Sequence, residues 1–188
     1  MKGRELIIGV TGGIAAYKTA ALVSRLVQAG AGVSVVMTAA ATRFVGPATF
    51  KALTGRPVGT SVFSLPELPL GAHIELAQKA DLMCVAPATA NFLGKAAQGI
   101  ADDLLSTLYL SFAGPVYVAP AMNTVMWNKP SVQRNVRQLR ADGVLVIDPE
   151  EGWLSCRAQG AGRMADPDVI FETLRAKLTS GETAPARS

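Results

Sequence analysis

The sequence predicts a single α/β domain in which helices cover both faces of a central parallel sheet. Short apolar runs alternate with longer helix-like stretches from one end of the chain to the other. These runs are apolar throughout, which is typical of parallel strands buried on both faces. A length of 188 residues suits one domain with a substantial core. Together these observations favour a doubly wound, Rossmann-like or flavodoxin-like sheet, which binds its ligand at the carboxyl ends of the strands.

Five strands and their connecting helices follow in order along the chain. We predict buried strands at residues 6–10, 33–37, 82–86, 116–119 and 144–147. We predict helices at residues 14–29, 47–53, 73–80, 131–141 and 167–178, with one or two more between 92 and 111. Gly30 ends the first helix, and Asp166 and Pro167 begin the last. We predict a loose connection at residues 55–71 and a flexible tail or linker at residues 179–188. The predicted domain therefore spans residues 1–178.

Composition and charge restrict the class of function. Hydrophobic residues make up 49% of the chain and charged residues 17%, which indicates a globular protein. The net charge of +4 comes from scattered Lys and Arg, so we expect no nucleic-acid partner. No apolar run approaches the ~20 residues that span a bilayer, and no signal peptide is visible. The two cysteines lack a paired spacing, which favours a reducing cytoplasm, and we expect no metal site.

The loop after the first strand, residues 11–18, has the sequence TGGIAAYK. Its glycines would let the backbone approach a phosphate, and the following helix N-terminus offers free N–H groups. The spacing matches neither a dinucleotide fingerprint nor a Walker loop, and a plain glycine turn explains it equally well. Lys18 falls inside the helix, where we expect it to face solvent.

Two later loops also follow strands. Residues 86–92, APATANF, place Thr89 and Asn91 at the sheet edge, although Asn91 as a helix N-cap explains the segment equally well. Residues 120–127, PAMNTVMW, offer the amide of Asn123 to a carboxylate or an amide. Their two methionines and Trp127 would form an apolar wall, although such residues are also common in cores.

The string PAMNTVMW resembles the PxMNxxMW signature of the flavin-dependent cysteine decarboxylases. The segments TGGIAAYK, HIELAQKAD, APATAN and GIADDLLS are similar to the same family, so the resemblance covers about residues 5–178. It implies FMN as cofactor and phosphopantothenoylcysteine as substrate, converted to phosphopantetheine in coenzyme A biosynthesis. The substrate thiol would be oxidised to a thioaldehyde, carbon dioxide would leave to give an enethiolate, and returned electrons and a proton would complete the thiol product.

The resemblance implies two catalytic residues. His73, the single histidine of the chain, falls at the family's active-site histidine and suits a base at the substrate thiol. A lone histidine is otherwise usually structural. Cys156 lies in the Gly- and Ala-rich residues 152–164, typical of a mobile flap, at the position of the acid that protonates the enethiolate. Cys84, in a buried strand, is expected to be inert.

The resemblance also implies binding residues. Those for FMN are Gly12, Gly13, Ile14, Thr38, Ala39, Thr89, Ala90, Asn91 and Ala121. Asn123 would hold the substrate carboxylate, and Met122 would line the pocket. The family often has Gly and an acidic residue after the flap cysteine, whereas this chain has Arg157 and Ala158. Arg157 either brings a cation to a substrate phosphate or is simply solvated.

The resemblance further implies a homo-oligomer, a trimer or a dodecamer of trimers, because FMN sites in this family form between subunits. A fused synthetase domain is a further possible partner. Three alternatives remain open: a decarboxylase of peptide C-terminal cysteines, a non-catalytic flavoprotein that regulates a phosphatase, and a flavin prenyltransferase of similar fold. His73, Cys156 and the absence of a long acidic tail argue against the regulator. A flavin prenyltransferase would not be expected to carry both PxMNxxMW and the G-x-G-R-M of residues 160–164.

Overall fold

A computed structural model describes residues 1–63, 65, 68, 70–154, 157 and 159–179. The strands are β1 (Glu5–Val10), β2 (Gly32–Met37), β3 (Leu82–Ala88), β4 (Val116–Pro120), β5 (Leu145–Val146), β6 (Glu150–Trp153) and β7 (Gln159–Arg163). The helices are α1 (Ala16–Gln28), α2 (Pro47–Thr54), α3 (Ala72–Lys79), α4 (Ala90–Gln98), α5 (Leu104–Ser111), α6 (Thr124–Trp127), α7 (Pro130–Ala141) and α8 (Pro167–Thr179).

The central sheet has five parallel strands in the order β2-β1-β3-β4-β5. This is the flavodoxin-like order, in which the chain turns from one side of β1 to the other and leaves a crevice at the strands' carboxyl ends. The predicted doubly wound fold is therefore confirmed. The five predicted strands are all present, although the last is shorter than expected, at Leu145–Val146.

Two apolar cores lie on opposite faces of the sheet. Alternate side chains of β1 divide between them, because successive residues of a strand point to opposite faces. Leu6 and Ile8 pack with residues of α1, α2 and α8, whereas Ile7 packs with residues of α3, α4, α5 and α7. Covering both faces explains why β3 and β4 are buried at every residue.

The helix ends follow local chemistry. Gly30 has a φ of +82°, which supports its predicted role at the end of α1. At the start of α8, the Asp166 carboxylate accepts a hydrogen bond from the N–H of Asp168 at 3.0 Å, as its predicted N-cap role requires.

The sequence prediction missed the short helix α6 and the two strands of a second sheet. Strands β6 and β7, which include parts of the predicted flap segment, pair antiparallel as a separate two-stranded sheet, here called the hairpin. No helix in the described part of the chain is long and apolar enough to cross a membrane.

Candidate active site

A cavity of about 530 Å³ lies beyond the carboxyl ends of β1, β3 and β4. Loops from three strands and one side of the hairpin form its walls, as expected for a switch point in a doubly wound sheet. Its lining residues are Gly12, Gly13, Ile14, Ala15, Tyr17, Lys18, Thr89, Ala90, Ala121, Met122, Asn123, Met126, Trp153, Leu154, Gly162, Arg163 and Met164.

Thr11 ties the first loop to the second. Its buried hydroxyl donates to the carbonyl oxygen of Pro87 at 2.7 Å and accepts from the N–H of Thr89 at 3.0 Å. Gly12 is required by a close approach, because a Cβ there would lie 2.9 Å from the carbonyl carbon of Ala40. The N–H groups of Gly12 and Ile14 have no acceptor among the described residues. The first loop, whose Gly12 and Ile14 line the cavity, therefore keeps two free N–H donors.

Thr89 begins helix α4. Its hydroxyl accepts from the N–H of Phe92 at 3.5 Å, and it is the N-cap residue. The alternative in which Asn91 caps this helix is therefore wrong, because the helix begins two positions earlier than the sequence suggested. Thr89 and Ala90 line the cavity, whereas Asn91 is exposed and does not.

Asn123 has one side-chain group engaged and one available. Its Oδ1 accepts from the N–H of Met126 at 2.8 Å and so caps helix α6. Its Nδ2 remains as a pair of donors at the cavity wall, the arrangement that a carboxylate ligand requires.

The turn at residues 122–124 rests on the hairpin. The N–H of Met122 donates to the carbonyl oxygen of Gly162 at 2.9 Å. Gly162 has a φ of +123°, and a Cβ at this position would collide with the carbonyl oxygen of Met122. A Cβ on Gly160 would likewise lie 2.5 Å from the hydroxyl of Thr124. The two glycines of G-x-G-R-M thus permit close contact between the hairpin and the turn that carries Asn123.

Exposed apolar side chains border the cavity. Ile14, Tyr17, Met126 and Trp153 are 54%, 61%, 42% and 68% exposed. The predicted apolar wall includes Met122 and Met126, but Trp127 does not line the cavity and packs against one of the cores instead. Trp153 of β6 occupies the wall in its place.

Lys18 is a site residue that sequence reasoning missed. The expectation that it faces solvent is wrong, because it lines the cavity and its Nζ is buried without a hydrogen-bond partner among the described residues. Burial lowers the pKa of its ammonium, and the nearby charge of Arg163 lowers it further, whereas Asp166 and Glu150 act in the opposite direction. Its sequence signal is weak, since no local pattern places Lys18 in the cavity that the hairpin also lines.

Other predicted residues lie away from this cavity. His73 is in the first turn of α3, with its Nδ1 buried and unpartnered among the described residues. Thr38 and Ala39 follow β2, where the Thr38 hydroxyl accepts from the N–H of Ala41 at 3.2 Å. Arg157 is exposed, and its N–H donates to the carbonyl oxygen of Leu154 at 2.9 Å. Cys156 lies outside the described residues.

Cys84 is buried in β3. Burial raises the pKa of its thiol to about 12, so it stays protonated and unreactive at neutral pH. This agrees with its predicted role as an inert core residue.

Comparison with known proteins identifies the family. The flavoprotein family model matches residues 1–179. The chain belongs to the flavoprotein family. It is 46% identical over 185 residues to the coenzyme A biosynthesis bifunctional protein CoaBC of Bacillus subtilis, covering 98% of this chain and 46% of the relative. The Mycobacterium tuberculosis CoaBC is 44% identical over 182 residues, covering 97% of this chain and 43% of the relative. The chain therefore spans less than half the length of these curated relatives.

Solved structures of other flavoproteins are similar over nearly the whole chain. A PPC decarboxylase mutant complexed with pantothenoylaminoethenethiol has a TM-score of 0.86 and 30% identity, covering 96% of this chain and 100% of that chain. The FMN-dependent cysteine decarboxylase SpaF has a TM-score of 0.81 and 36% identity, with coverages of 93% and 98%. These similarities confirm the resemblance to flavin-dependent cysteine decarboxylases that the motifs indicated.

Proposed function

We propose that this chain is an FMN-dependent phosphopantothenoylcysteine decarboxylase that forms phosphopantetheine in coenzyme A biosynthesis. The observation that carries the proposal is the convergence of the glycine loop, the Thr89 loop and Asn123 on one cavity. The bifunctional CoaBC relatives and the ligand-bound PPC decarboxylase support the choice of substrate.

The cavity fits a flavin nucleotide. Its volume of about 530 Å³ is in the usual range for cofactor sites. The free N–H groups of Gly12 and Ile14, next to the N-terminus of α1, suit a phosphate. We assign cofactor contacts to Gly12, Gly13, Ile14, Thr89, Ala90 and Ala121. Bound FMN would accept the electron pair of the substrate thiol and later return it.

Asn123 orients the substrate in this proposal. Its Nδ2 donates to the carboxylate, while Met122, Met126 and Trp153 exclude water from the reacting carbon. His73 accepts the thiol proton, and Cys156 donates a proton to the enethiolate. Arg157, exposed between β6 and β7, is available to a substrate phosphate.

We propose that a second copy of the chain completes the site. His73, Thr38, Ala39 and Asn91 do not line the cavity of a single chain. Exposed apolar residues lie near His73 in sequence, namely Phe63, Leu70 and Ile74, at 92%, 65% and 38% exposure. Such side chains are typical of an interface. We therefore propose a homotrimer, or a dodecamer of trimers.

Mixed oligomers test this arrangement. His73→Asn and Cys156→Ser proteins should each turn over poorly. If one site takes His73 and Cys156 from different copies, unfolding and refolding the two variants together should restore part of the activity. Sedimentation velocity should give a trimer or a dodecamer. A monomer with full activity would refute the shared site.

The remaining assignments are also proposals. We propose that residues 1–178 form the decarboxylase domain, that residues 179–188 form a linker, and that a fused synthetase domain is a possible partner, as in the bifunctional relatives. We place the activity in the cytoplasm, where thiols such as that of Cys84 stay reduced.

A decarboxylase of peptide C-terminal cysteines is the second candidate, since the 36% identity to the FMN-dependent cysteine decarboxylase SpaF supports cysteine decarboxylation without selecting the cysteine conjugate. Comparing phosphopantothenoylcysteine with a short peptide ending in cysteine separates the two functions. We expect a kcat/KM at least a hundredfold higher for the former, and the reverse order would replace the proposal. Flavin binding without turnover of either substrate would favour a non-catalytic regulator.

Spectra and trapped intermediates test the chemistry. The purified protein should take up FMN and show flavin absorption, and failure to bind FMN would refute the proposal. Cys156→Ser should still oxidise and decarboxylate the substrate but accumulate the unsaturated thiol. His73→Asn should bind FMN without reducing it on addition of substrate. Full turnover by either variant would remove that residue from its assigned role.

Asn123→Asp offers a matched test of carboxylate binding. An Asp oxygen still caps α6, so the free energy of unfolding and the affinity for FMN should stay near those of the wild type. The second oxygen accepts instead of donating and repels the substrate carboxylate. We expect a loss of at least a hundredfold in kcat/KM. Unchanged kinetics would exclude the proposed contact.

A further inference from the structure

Lys18 presents a buried cation to the cavity with nothing to neutralise it at hydrogen-bonding distance. It lies in the first turn of α1, lines the cavity, and has a buried Nζ without a partner among the described residues. Burying an ammonium without acceptors is costly, so proteins retain such a group where a ligand supplies the acceptor. A solvent-facing surface lysine would not leave its nitrogen buried.

A second cation lines the same cavity. Arg163 of β7 also lines the cavity, and its charge lowers the pKa of Lys18. Its guanidinium lies against Gly152, where a Cβ would be 3.1 Å from Nη1. In the described structure, Arg163 forms no salt bridge with a carboxylate. Two positive residues from different elements therefore line the same cavity.

The nearby carboxylates are engaged elsewhere. Glu150 accepts the N–H of Asp166 at 2.9 Å, and Asp166 accepts the N–H of Asp168 at 3.0 Å. Their charges raise the pKa of Lys18, but neither forms an ion pair with it in the described part of the chain. The ammonium thus keeps its donors for a ligand. The free N–H groups of Gly12 and Ile14 add positive potential at the same end of α1.

We propose that Lys18 and Arg163 form an oxyanion subsite in the cavity, which takes either the phosphate of the flavin or the carboxylate of the substrate. This inference rests on the proposed function. Both oxyanions offer acceptors to an ammonium and to a guanidinium, and both belong to molecules of a size that the cavity holds. Lys18 is then a binding residue in addition to those that the motifs assign.

Removing only the charge tests the subsite. Lys18→Met keeps the length and apolar stem of the side chain, and Lys18→Arg keeps the charge as a matched control. The dissociation constants of FMN and riboflavin are measured on apoprotein by flavin fluorescence. The dissociation constants of phosphopantothenoylcysteine and phosphopantetheine, which differ in the carboxylate, are measured on FMN-loaded His73→Asn protein, which should not turn the substrate over. Riboflavin differs from FMN only in lacking the phosphate.

Each result has one interpretation. If the subsite holds the flavin phosphate, Lys18→Met weakens the binding of FMN at least tenfold and leaves the binding of riboflavin unchanged. Lys18→Arg then largely restores the affinity for FMN. If the subsite holds the substrate carboxylate, Lys18→Met weakens the binding of phosphopantothenoylcysteine at least tenfold but changes the binding of phosphopantetheine little. The subsite would be overturned if all four dissociation constants changed less than twofold. It would also be overturned if FMN and riboflavin lost affinity equally and the two pantetheine compounds did so as well.

Two further controls keep the test decisive. If Lys18→Met does not fold, as judged by circular dichroism, Lys18→Gln replaces it with a neutral polar side chain of similar length. Failure of wild-type protein to bind FMN or riboflavin would overturn the proposed function together with the subsite. Normal flavin binding and turnover with an unaffected Lys18→Met would overturn the subsite alone.

Discussion

Substituting Gly162 with alanine should break the contact between the hairpin and the turn that carries Asn123. Gly162 has a φ of +123°, and a Cβ there would collide with the carbonyl oxygen of Met122. Backbone strain of this kind costs about 1–3 kcal/mol. Relief of the collision would also weaken the hydrogen bond from Met122 to Gly162, worth about 0.5–1.5 kcal/mol. We expect Gly162→Ala to lower the free energy of unfolding by about 2–4 kcal/mol.

Gly143→Ala is the matched control. Gly143 also has a positive φ, +87°, but nothing lies within 4 Å of its Cβ position. Gly143→Ala should lower the free energy of unfolding by only about 1–2 kcal/mol, the ordinary cost of placing a residue with a Cβ in the left-handed region. Urea denaturation of apoprotein, followed by circular dichroism, measures both variants. Gly162→Ala should also bind FMN more weakly, because the displaced turn belongs to the cavity wall.

The comparison between these variants decides the outcome. If Gly162→Ala is no less stable than Gly143→Ala, the hairpin does not press on the turn as described. If it is less stable but binds FMN and turns over substrate normally, the contact contributes to folding without positioning the site.

Three further predictions concern individual side chains. Thr11→Val should lower the free energy of unfolding, measured by urea denaturation, by about 1–3 kcal/mol, because it removes the acceptor of the Thr89 N–H. In a Cys156→Ser protein, Ellman's reagent at pH 8 should detect no reactive thiol before unfolding and one thiol after it, because burial raises the pKa of Cys84 to about 12. Rapid reaction of the native protein would contradict this. The hydrogen bond from Arg56 lowers the pKa of Glu5 below its ordinary value of 4.5. This pair therefore stabilises the fold fully when the pH is above 4.5, and its contribution is lost as the pH falls through the lower pKa of the folded state. Glu5→Gln should therefore cost under about 1 kcal/mol at pH 7 and progressively less in urea titrations at lower pH, because the pair is partly exposed.

The sheet could be predicted because its signal is local. Each strand is a continuous apolar run, and the helices between them end at residues such as Gly30, whose φ of +82° suits glycine. The strand order requires long-range pairing, such as that of Leu6 with both Val33 and Leu82, which no local pattern contains. The site's position at the strand ends nevertheless followed from the parallel arrangement.

The hairpin could not be predicted as a pair of strands. The segments of β6 and β7 are polar or glycine-rich, and their residues are largely exposed or half-buried, so neither an apolar run nor an alternation marks them. Lys18 lines the same cavity as this hairpin, so its place in the site was missed for the same reason. The misplaced Trp127 reflects the short α6 helix, which turns that ring toward a core while Met126 faces the cavity.

Anaerobic turnover tests the proposed function most directly. Purified protein loaded with FMN is mixed with excess phosphopantothenoylcysteine, without added oxidant or reductant, and carbon dioxide and phosphopantetheine are quantified. Because the electrons taken from the thiol are returned within one cycle, we expect equal amounts of the two products over many turnovers, with FMN oxidised at the end. No carbon dioxide, or a single turnover that leaves the flavin reduced, would contradict the proposed decarboxylase.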